Sequence, residues 1–288
     1  MTGSPDVPCY LVDAERPALF DAGFSCLGPA YEKHLKQLLG DRQPAYLFLT
    51  HVHFDHCGAA AYLKSVFSDM KIAASPQAAA ILSRPNAIKL IGELNQTAAQ
   101  AMAEWDSPPD NPIEFKTFNI DIEVEDSDRL DLGGGLSVQV LGTPGHTRDF
   151  LSYYIPEKKI LVSSEAVGCH SGYKDCIVSE FIYSYQDYVD SMKRLATLDV
   201  EILCQGHHRV FLGDDVRIFF EKSLAAVETF KEQVLALLEE EKGDVDRVVL
   251  RVKDFEYDHR PNPKQPEPAY LLNTRARIQH LKEVFASE

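Results

Sequence analysis

The sequence predicts an α/β protein in which two halves, each of strands and helices, pack sheet to sheet ahead of a helical C-terminal appendage. Three observations carry this expectation. Short strand-like runs broken by turns fill the first fifty residues and return between 113 and 162. Helical periodicity follows the first block and is seen again after the second. Beyond residue 213 the pattern becomes long, amphipathic and charge-rich, without strand signals.

Residues 9–13 and 17–21 read as a hairpin turning at Glu15-Arg16, closed by the Asp21-Ala22-Gly23 turn. Residues 29–39 have helical spacing with Gly40 as a stop. Residues 45–50 form an apolar run that reads as a buried strand, followed by a helix over 58–67. A strand at 72–74 and a helix at 76–82, with proline in its first turn, come next. The helical pattern of 86–105 ends at the breaker Ser107-Pro108-Pro109-Asp110. Gly133-Gly134-Gly135 marks a hairpin before the alternating strand 136–141, and 160–162 is a further strand. A helix at 185–198 and a strand at 201–204 complete the second half. Helices are expected over 214–242 and 269–286, joined by a proline-rich loop at 258–268.

At 288 residues with 45% hydrophobic content, the chain can bury a large core. Its net charge of -15, from 44 acidic and 29 basic residues, disfavours binding to nucleic acid and to anionic membranes. No signal-peptide pattern and no run of roughly 18 apolar residues is visible. The six cysteines (9, 26, 57, 169, 176 and 204) have no C-x-x-C spacing and read as reduced thiols, so a cytoplasmic location is expected.

The densest chemistry lies between Thr50 and Gly58, where His51, His53, Asp55 and His56 fall within six residues. On a strand, His51 and His53 would share a face, and the loop beyond can turn Asp55 and His56 back towards them. Imidazole and carboxylate are ligands for zinc, iron and manganese. Cys57 leads into the following helix and reads as a packing residue, while Gly58 is expected to let the chain turn.

This run resembles the H-x-H-x-D-H signature of the metallo-β-lactamase superfamily. The resemblance implies an αββα sandwich and two adjacent divalent metal ions, zinc first, with iron or manganese as alternatives. It assigns residues 1–212 to a catalytic domain with a helical insert at 75–110, and 213–288 to an extension that caps the site or forms a dimer interface. His146, in Thr143-Pro144-Gly145-His146, would join His51 and His53 on one metal. His207 in the Gly206-His207 turn would join Asp55 and His56 on the other. Where the family has a bridging aspartate, this chain has Glu165, one methylene longer but able to bridge. Asp21 matches a recurrent aspartate expected to orient a ligating histidine. His34, His259 and His280 read as surface residues.

A dinuclear centre with metals about 3.5–4 Å apart would attack through a metal-bound hydroxide oriented by Asp55. Within the superfamily, the acidic surface argues against the nucleases, His53 against the flavodiiron branch, and the missing leader against secreted β-lactamases. The remaining group is glyoxalase II-like, and the helical insert and appendage give a layout similar to thioesterases of the quinolone signal response type. Hydrolysis of a small-molecule, acyl-CoA-like thioester is the leading expectation. A lactone or carboxylic ester hydrolase, a mono-iron persulfide dioxygenase and a catalytically impaired binding protein are the alternatives. Tyr173, Phe181, Tyr183, Tyr185 and Tyr270 are expected to line a substrate tunnel, with His208 on the substrate side.

Overall fold

A strand that is buried on both faces must offer apolar side chains to two different layers, and the short strands here do so residue by residue. In a computed structural model, which describes residues 1–103, 113–171, 173, 176–261 and 264–286, two six-stranded sheets lie face to face. The first contains, in spatial order, β1 (Thr2–Ser4), β2 (Val7–Val12), β3 (Ala18–Phe20), β4 (Tyr46–Phe48), β5 (Lys71–Ala74) and β6 (Ile122–Glu123). β1 to β3 are antiparallel, whereas β3 to β6 pair in parallel. Parallel neighbours require crossovers. These are α1 (Gly28–Leu39), then α2 (Phe54–Cys57) with α3 (Ala60–Val66), then α4 (Pro76–Leu82) with α5 (Pro85–Ala103).

The second sheet is built from β7 (Arg129–Gly133), β8 (Leu136–Gly142), β9 (Leu151–Ile155) and β10 (Ile160–Val162). A small ribbon, β11 (Cys169–His170) with β12 (Ile177–Val178), and helix α6 (Tyr185–Leu195) follow. β13 (Ile202–Cys204) and β14 (Val210–Leu212) complete the sheet in the order β14-β13-β10-β9-β8-β7. Only β10 and β13 are parallel there, with α6 in the connection between them. The C-terminal helices are α7 (Asp214–Glu240), α8 (Val245–Lys253) and α9 (Glu267–Phe285).

Three cores result from the alternation. Phe20, Phe48 and Ala73 of the first sheet meet Val140, Tyr153 and Val162 of the second in the central layer. Their neighbours Leu19, Leu47 and Ile72 point the other way, onto a core shared with Tyr31, Leu63 and Ile91 of α1, α3 and α5. Tyr154, Leu161 and Leu203 likewise turn outward to Met192, Val227 and Ile278 of α6, α7 and α9. Full burial of each large apolar side chain contributes about 1.5–3 kcal/mol, so a one-residue slip of any of these strands would be severely penalised. The αββα order expected from the sequence is the order found.

Several elements depart from expectation. β1, the β11–β12 ribbon, β14 and α8 have no counterpart among the predicted elements. The three inward valines of α8 have strand-like composition, but Asp244 caps the helix by accepting from the Arg247 amide at 3.2 Å. The breaker at 107–110 and the end of the helix preceding it lie outside the described residues. His34 and His280 are not simple surface residues. Gly3 N donates to His34 Nδ1 at 3.2 Å, and Tyr185 N donates to His280 Nε2 at 2.9 Å. Among the described residues no helix is long and apolar enough to cross a membrane.

Candidate metal centre

Four strand ends open on one edge of the sandwich, and each delivers ligand-type residues. The chain leaving β4 carries His51 and His53 into α2, which holds Asp55 and His56. The turn between β8 and β9 carries His146, a 3₁₀ turn after β10 (Ser164–Val167) carries Glu165, and the β13–β14 turn carries His207. These residues lie far apart in sequence and converge in space. Ligand atoms of His51, His53 and His146 lie within 4.8 Å of one another, as do those of His51, His56 and Glu165, and those of Asp55, His56 and His207.

The hydrogen bonds around the ring say which nitrogens face inward. His56 Nδ1 donates to Asp21 Oδ2 at 3.0 Å, His207 Nδ1 to the Asp6 carbonyl, and His146 Nδ1 to the Glu180 carbonyl. His51 Nδ1 faces Thr50 Oγ1 at 3.1 Å, and Thr50 Oγ1 in turn donates to Asp21. Four rings therefore have the outer nitrogen engaged and turn Nε2 towards the centre, where His146 Nε2 meets His53 Nδ1 at 3.1 Å and His207 Nε2 meets Glu165. His51 Nε2 and His56 Nε2 are fully buried without a hydrogen-bond partner, although His56 Nε2 is 2.6 Å from Glu165 Oε1. Buried polar atoms left this way are costly unless something pairs with them. The donor set fits divalent metal ions such as zinc, iron or manganese.

Glu165 fits because its neighbour has no side chain. A Cβ at Gly206 would lie 2.5 Å from Glu165 Oε1 and 2.8 Å from its Cδ. The longer carboxylate occupies that space, 2.9 Å from His207 Nε2, with its other oxygen accepting from Ser164 Oγ at 2.6 Å. Asp21 sits where the sequence places it, accepting from His56 and from both the amide and hydroxyl of Thr50. Its φ of 58° is a conformation that aspartate tolerates better than most residues.

Electrostatics divide the ring in two. Burial holds His51 and His146 below the ordinary imidazole range and His53 down at about 4, with neighbouring imidazoles lowering His51 and His53 further. Burial opposes charge on His56 and His207 as well, yet Glu165 and Asp55 lift His56 well above its usual range and His207 to about 9. Burial likewise resists ionisation of Glu165, and the His56 and His207 imidazoles nevertheless keep it well below the usual carboxylate range. One half is a neutral imidazole triad, whereas the other concentrates the carboxylates.

The centre forms the floor of a pocket. Its walls include Phe24, Leu90, Ile91 and Leu94 on one side and Tyr257, Ala269, Tyr270 and Leu272 on the other. His208 and Tyr270 line it, as the sequence reading expects, but Tyr183 and Tyr185 do not. Tyr185 is the first residue of α6 and turns inward against Phe181, its hydroxyl donating to Glu228. Tyr183 lies outside, with the Arg148 guanidinium 4.4 Å from its ring centre. Phe181 is fully buried in the outer core, and Tyr173 is likewise absent from the lining. Cys57 is buried in the core beneath α2.

Four further residues shape the site without a sequence signal. Asn95 of α5 accepts from Ser25 N at 2.8 Å and donates to the Phe54 carbonyl at 3.0 Å, tying the insert to the metal loop. Gly58 lies in the turn between α2 and α3, as expected, with helical φ and ψ; a Cβ there would lie 2.6 Å from Asn95 Oδ1. Asp149 accepts from Val52 N at 3.0 Å and holds the histidine loop from below. His170 and Glu180 line the pocket, and burial pushes the Glu180 carboxyl up to about 7 despite the opposing charge of Arg277.

Residues 3–207 match the model of the metallo-beta-lactamase superfamily. A hydroxyacylglutathione hydrolase from Bartonella tribocorum is 29% identical over 165 residues, covering 56% of this chain and 47% of that protein. The human acyl-coenzyme A thioesterase MBLAC2 is 26% identical over 177 residues, covering 59% and 58%. The matches thus span about half the length of these relatives. Among solved structures, an archaeal superfamily protein from Sulfolobus tokodaii aligns over 98% of both chains at a TM-score of 0.61 and 20% identity. A family protein from Thermus thermophilus aligns over 96% of this chain and 88% of its own, at a TM-score of 0.64 and 21% identity. On the match of its sequence to the family model, the chain belongs to the metallo-β-lactamase superfamily.

Proposed function

We propose that this protein is a dinuclear metal-dependent hydrolase whose substrate is a thioester. The observation that carries the reading is the convergence of His51, His53, His146, Asp55, His56, Glu165 and His207, with the buried Nε2 atoms of His51 and His56 unpartnered, beneath a pocket with apolar walls. His51, His53 and His146 would hold one cation and Asp55, His56 and His207 the other, with Glu165 between them. Divalent cations bound there supply Lewis acidity towards a carbonyl and an activated water at neutral pH. Asp55, with Oδ2 3.6 Å from His207 Nε2, is placed to take a proton from that water and orient it. The outer partners Asp21, Asp6 and Glu180 fix the ring orientations, so little reorganisation accompanies reaction.

A thiol ionises near pH 8.5, so a thiolate departs without prior protonation, and no other proton donor is required of the chain. The similarity to a hydroxyacylglutathione hydrolase and an acyl-coenzyme A thioesterase supports the same substrate class. Glu180 favours a second reading. A pocket carboxyl with a pKa of about 7 would protonate an alkoxide, which suits a lactone or carboxylic ester.

The test is thiol release from a panel of acyl thioesters by metal-loaded protein, with lactones assayed in parallel by acid release. Thioester turnover that is abolished by chelation and restored by metal supports the first reading. Lactone turnover alone would replace it with the second. Oxygen consumption with a persulfide and neither hydrolysis would refute both.

A further inference from the structure

The pocket wall facing the metal centre is chemically divided. From α5 come Leu90, Ile91, Leu94 and Ala98, a helical stripe at spacings of one, four and eight residues. Leu272 of α9 faces the same space. Leu90 and Leu272 are 45% and 51% exposed, so both leave apolar surface uncovered at the pocket rim. The segment between α8 and α9 adds two cations, Arg260 and Lys264, to the lining.

The charge of Arg260 helps to hold the buried Glu256 ionised, but neither cation is spent on a contacting carboxylate. Arg260 Nη2 lies 3.6 Å from Cys176 Sγ. Lys264 Nζ donates to the Tyr257 carbonyl at 3.2 Å and sits 4.1 Å over the Tyr257 ring centre. Neither makes an ion pair with any of the described residues. Nearby acidic groups are already engaged: Glu256 with Arg277 at 2.6 Å, Asp258 with Lys253, and Asp6 with His208 at 3.1 Å. On a protein of net charge -15, two unpaired, half-buried cations at the pocket are the features that would attract an anion rather than repel it.

We infer that the pocket takes an amphipathic anion, with an aliphatic acyl group along the Leu90–Leu94 face and Leu272, and an anionic carrier group on Arg260 and Lys264. The anion is a phosphate or a carboxylate, which the two cations bind alike. The inference rests on the hydrolase reading for the placement of the cleaved bond, between the apolar stripe and the cations. The binding surface itself is testable without turnover.

The experiment is calorimetric titration of metal-loaded full-length protein with three non-cleavable thioethers: S-hexyl-coenzyme A, S-hexylglutathione and S-hexyl-N-acetylcysteamine. They share the alkyl group and differ in carrying phosphates, carboxylates or no charge. At least one anionic thioether is expected to bind about tenfold or more tightly than the neutral one, with the advantage shrinking in high salt. The pair Arg260→Gln with Lys264→Gln should remove that advantage and leave the neutral thioether's affinity unchanged, which also reports an intact fold. Leu94→Ser should weaken all three. Which anionic probe is preferred separates phosphate from carboxylate. Equal affinity for the three, no detectable binding of any, or a preference that survives the double substitution would overturn the inference. Preferential binding without turnover of the matching thioesters would refute the hydrolase reading alone. Equal turnover of charged and neutral thioesters, with equal binding, would refute the anion subsite alone.

Discussion

The metal wall of the pocket comes from four strand ends of the sandwich, whereas the facing wall comes from α5, the helical turn at Asp254–Asp258 and α9. Strand ends inherit their positions from paired neighbours and from the central core, and the ligands on them are further held by Asp21, Thr50, Asp149 and Gly206. The helical wall hangs on fewer polar ties. Asn95 anchors α5, and the buried pair Arg277–Glu256, with Tyr270 Oη donating to Glu256 at 2.9 Å, anchors α9. On the proposed reading the difference is a division of labour: the more firmly tied wall would carry the chemistry, and the more loosely tied wall the shape and charge that select a substrate.

That division can be broken most severely on the metal side. His51→Ala removes a ligand at the centre of the ring and should reduce hydrolysis to background with loss of bound metal, whereas Leu94→Ser should leave metal content unchanged. Elemental analysis of both variants checks the contrast. On the helical side, Arg277→Met leaves Glu256 buried without its partner, and the expected destabilisation is about 3–5 kcal/mol in urea unfolding. Metal stoichiometry of the folded fraction should not change. A destabilised variant that also lost its metals would show that the two walls do not act separately.

Smaller effects sharpen the comparison. Asp21→Asn weakens the acceptor for His56 and should lower metal affinity by about 10–100-fold, measured by competition with a chromophoric chelator, without altering preference among acyl groups. The smallest effect is on pH dependence. Burial works against ionised Glu256, but Arg277 holds its carboxyl below the usual range. Its contribution to stability is therefore fully present above the unfolded-state pKa and is lost as pH falls through the lower folded-state value. The urea midpoint of the wild type should fall over that acid window, and that of Glu256→Gln should fall less.

The same division explains what the sequence revealed. The candidate metal ligands are legible because their spacing is local, as at His51, His53, Asp55 and His56, or marked by turns, as at Gly145-His146 and Gly206-His207. The apolar run at 45–50 and the alternating run at 136–141 made strands of both sheets legible as well. Asn95, Asp149 and Glu180 were not, because each acts on residues more than thirty positions away and has an unremarkable local context. Tyr183 and Tyr185 misled for the converse reason. They follow the site loops in sequence, but the start of α6 turns Tyr185 into the outer core. Glu165 was legible as a departure from the family's aspartate, but the room for it, supplied by Gly206 forty-one residues later, was not.

The central claim is that Glu165 serves a two-metal hydrolytic centre. The most direct measurement is metal content per chain in protein purified without chelator, for the wild type and for Glu165→Asp, alongside thioester turnover. The account predicts close to two metals and chelator-sensitive turnover in the wild type, with two metals retained in the variant. One metal or none in the wild type, rising to two only in Glu165→Asp, would contradict it and show that the longer carboxylate breaks the second site.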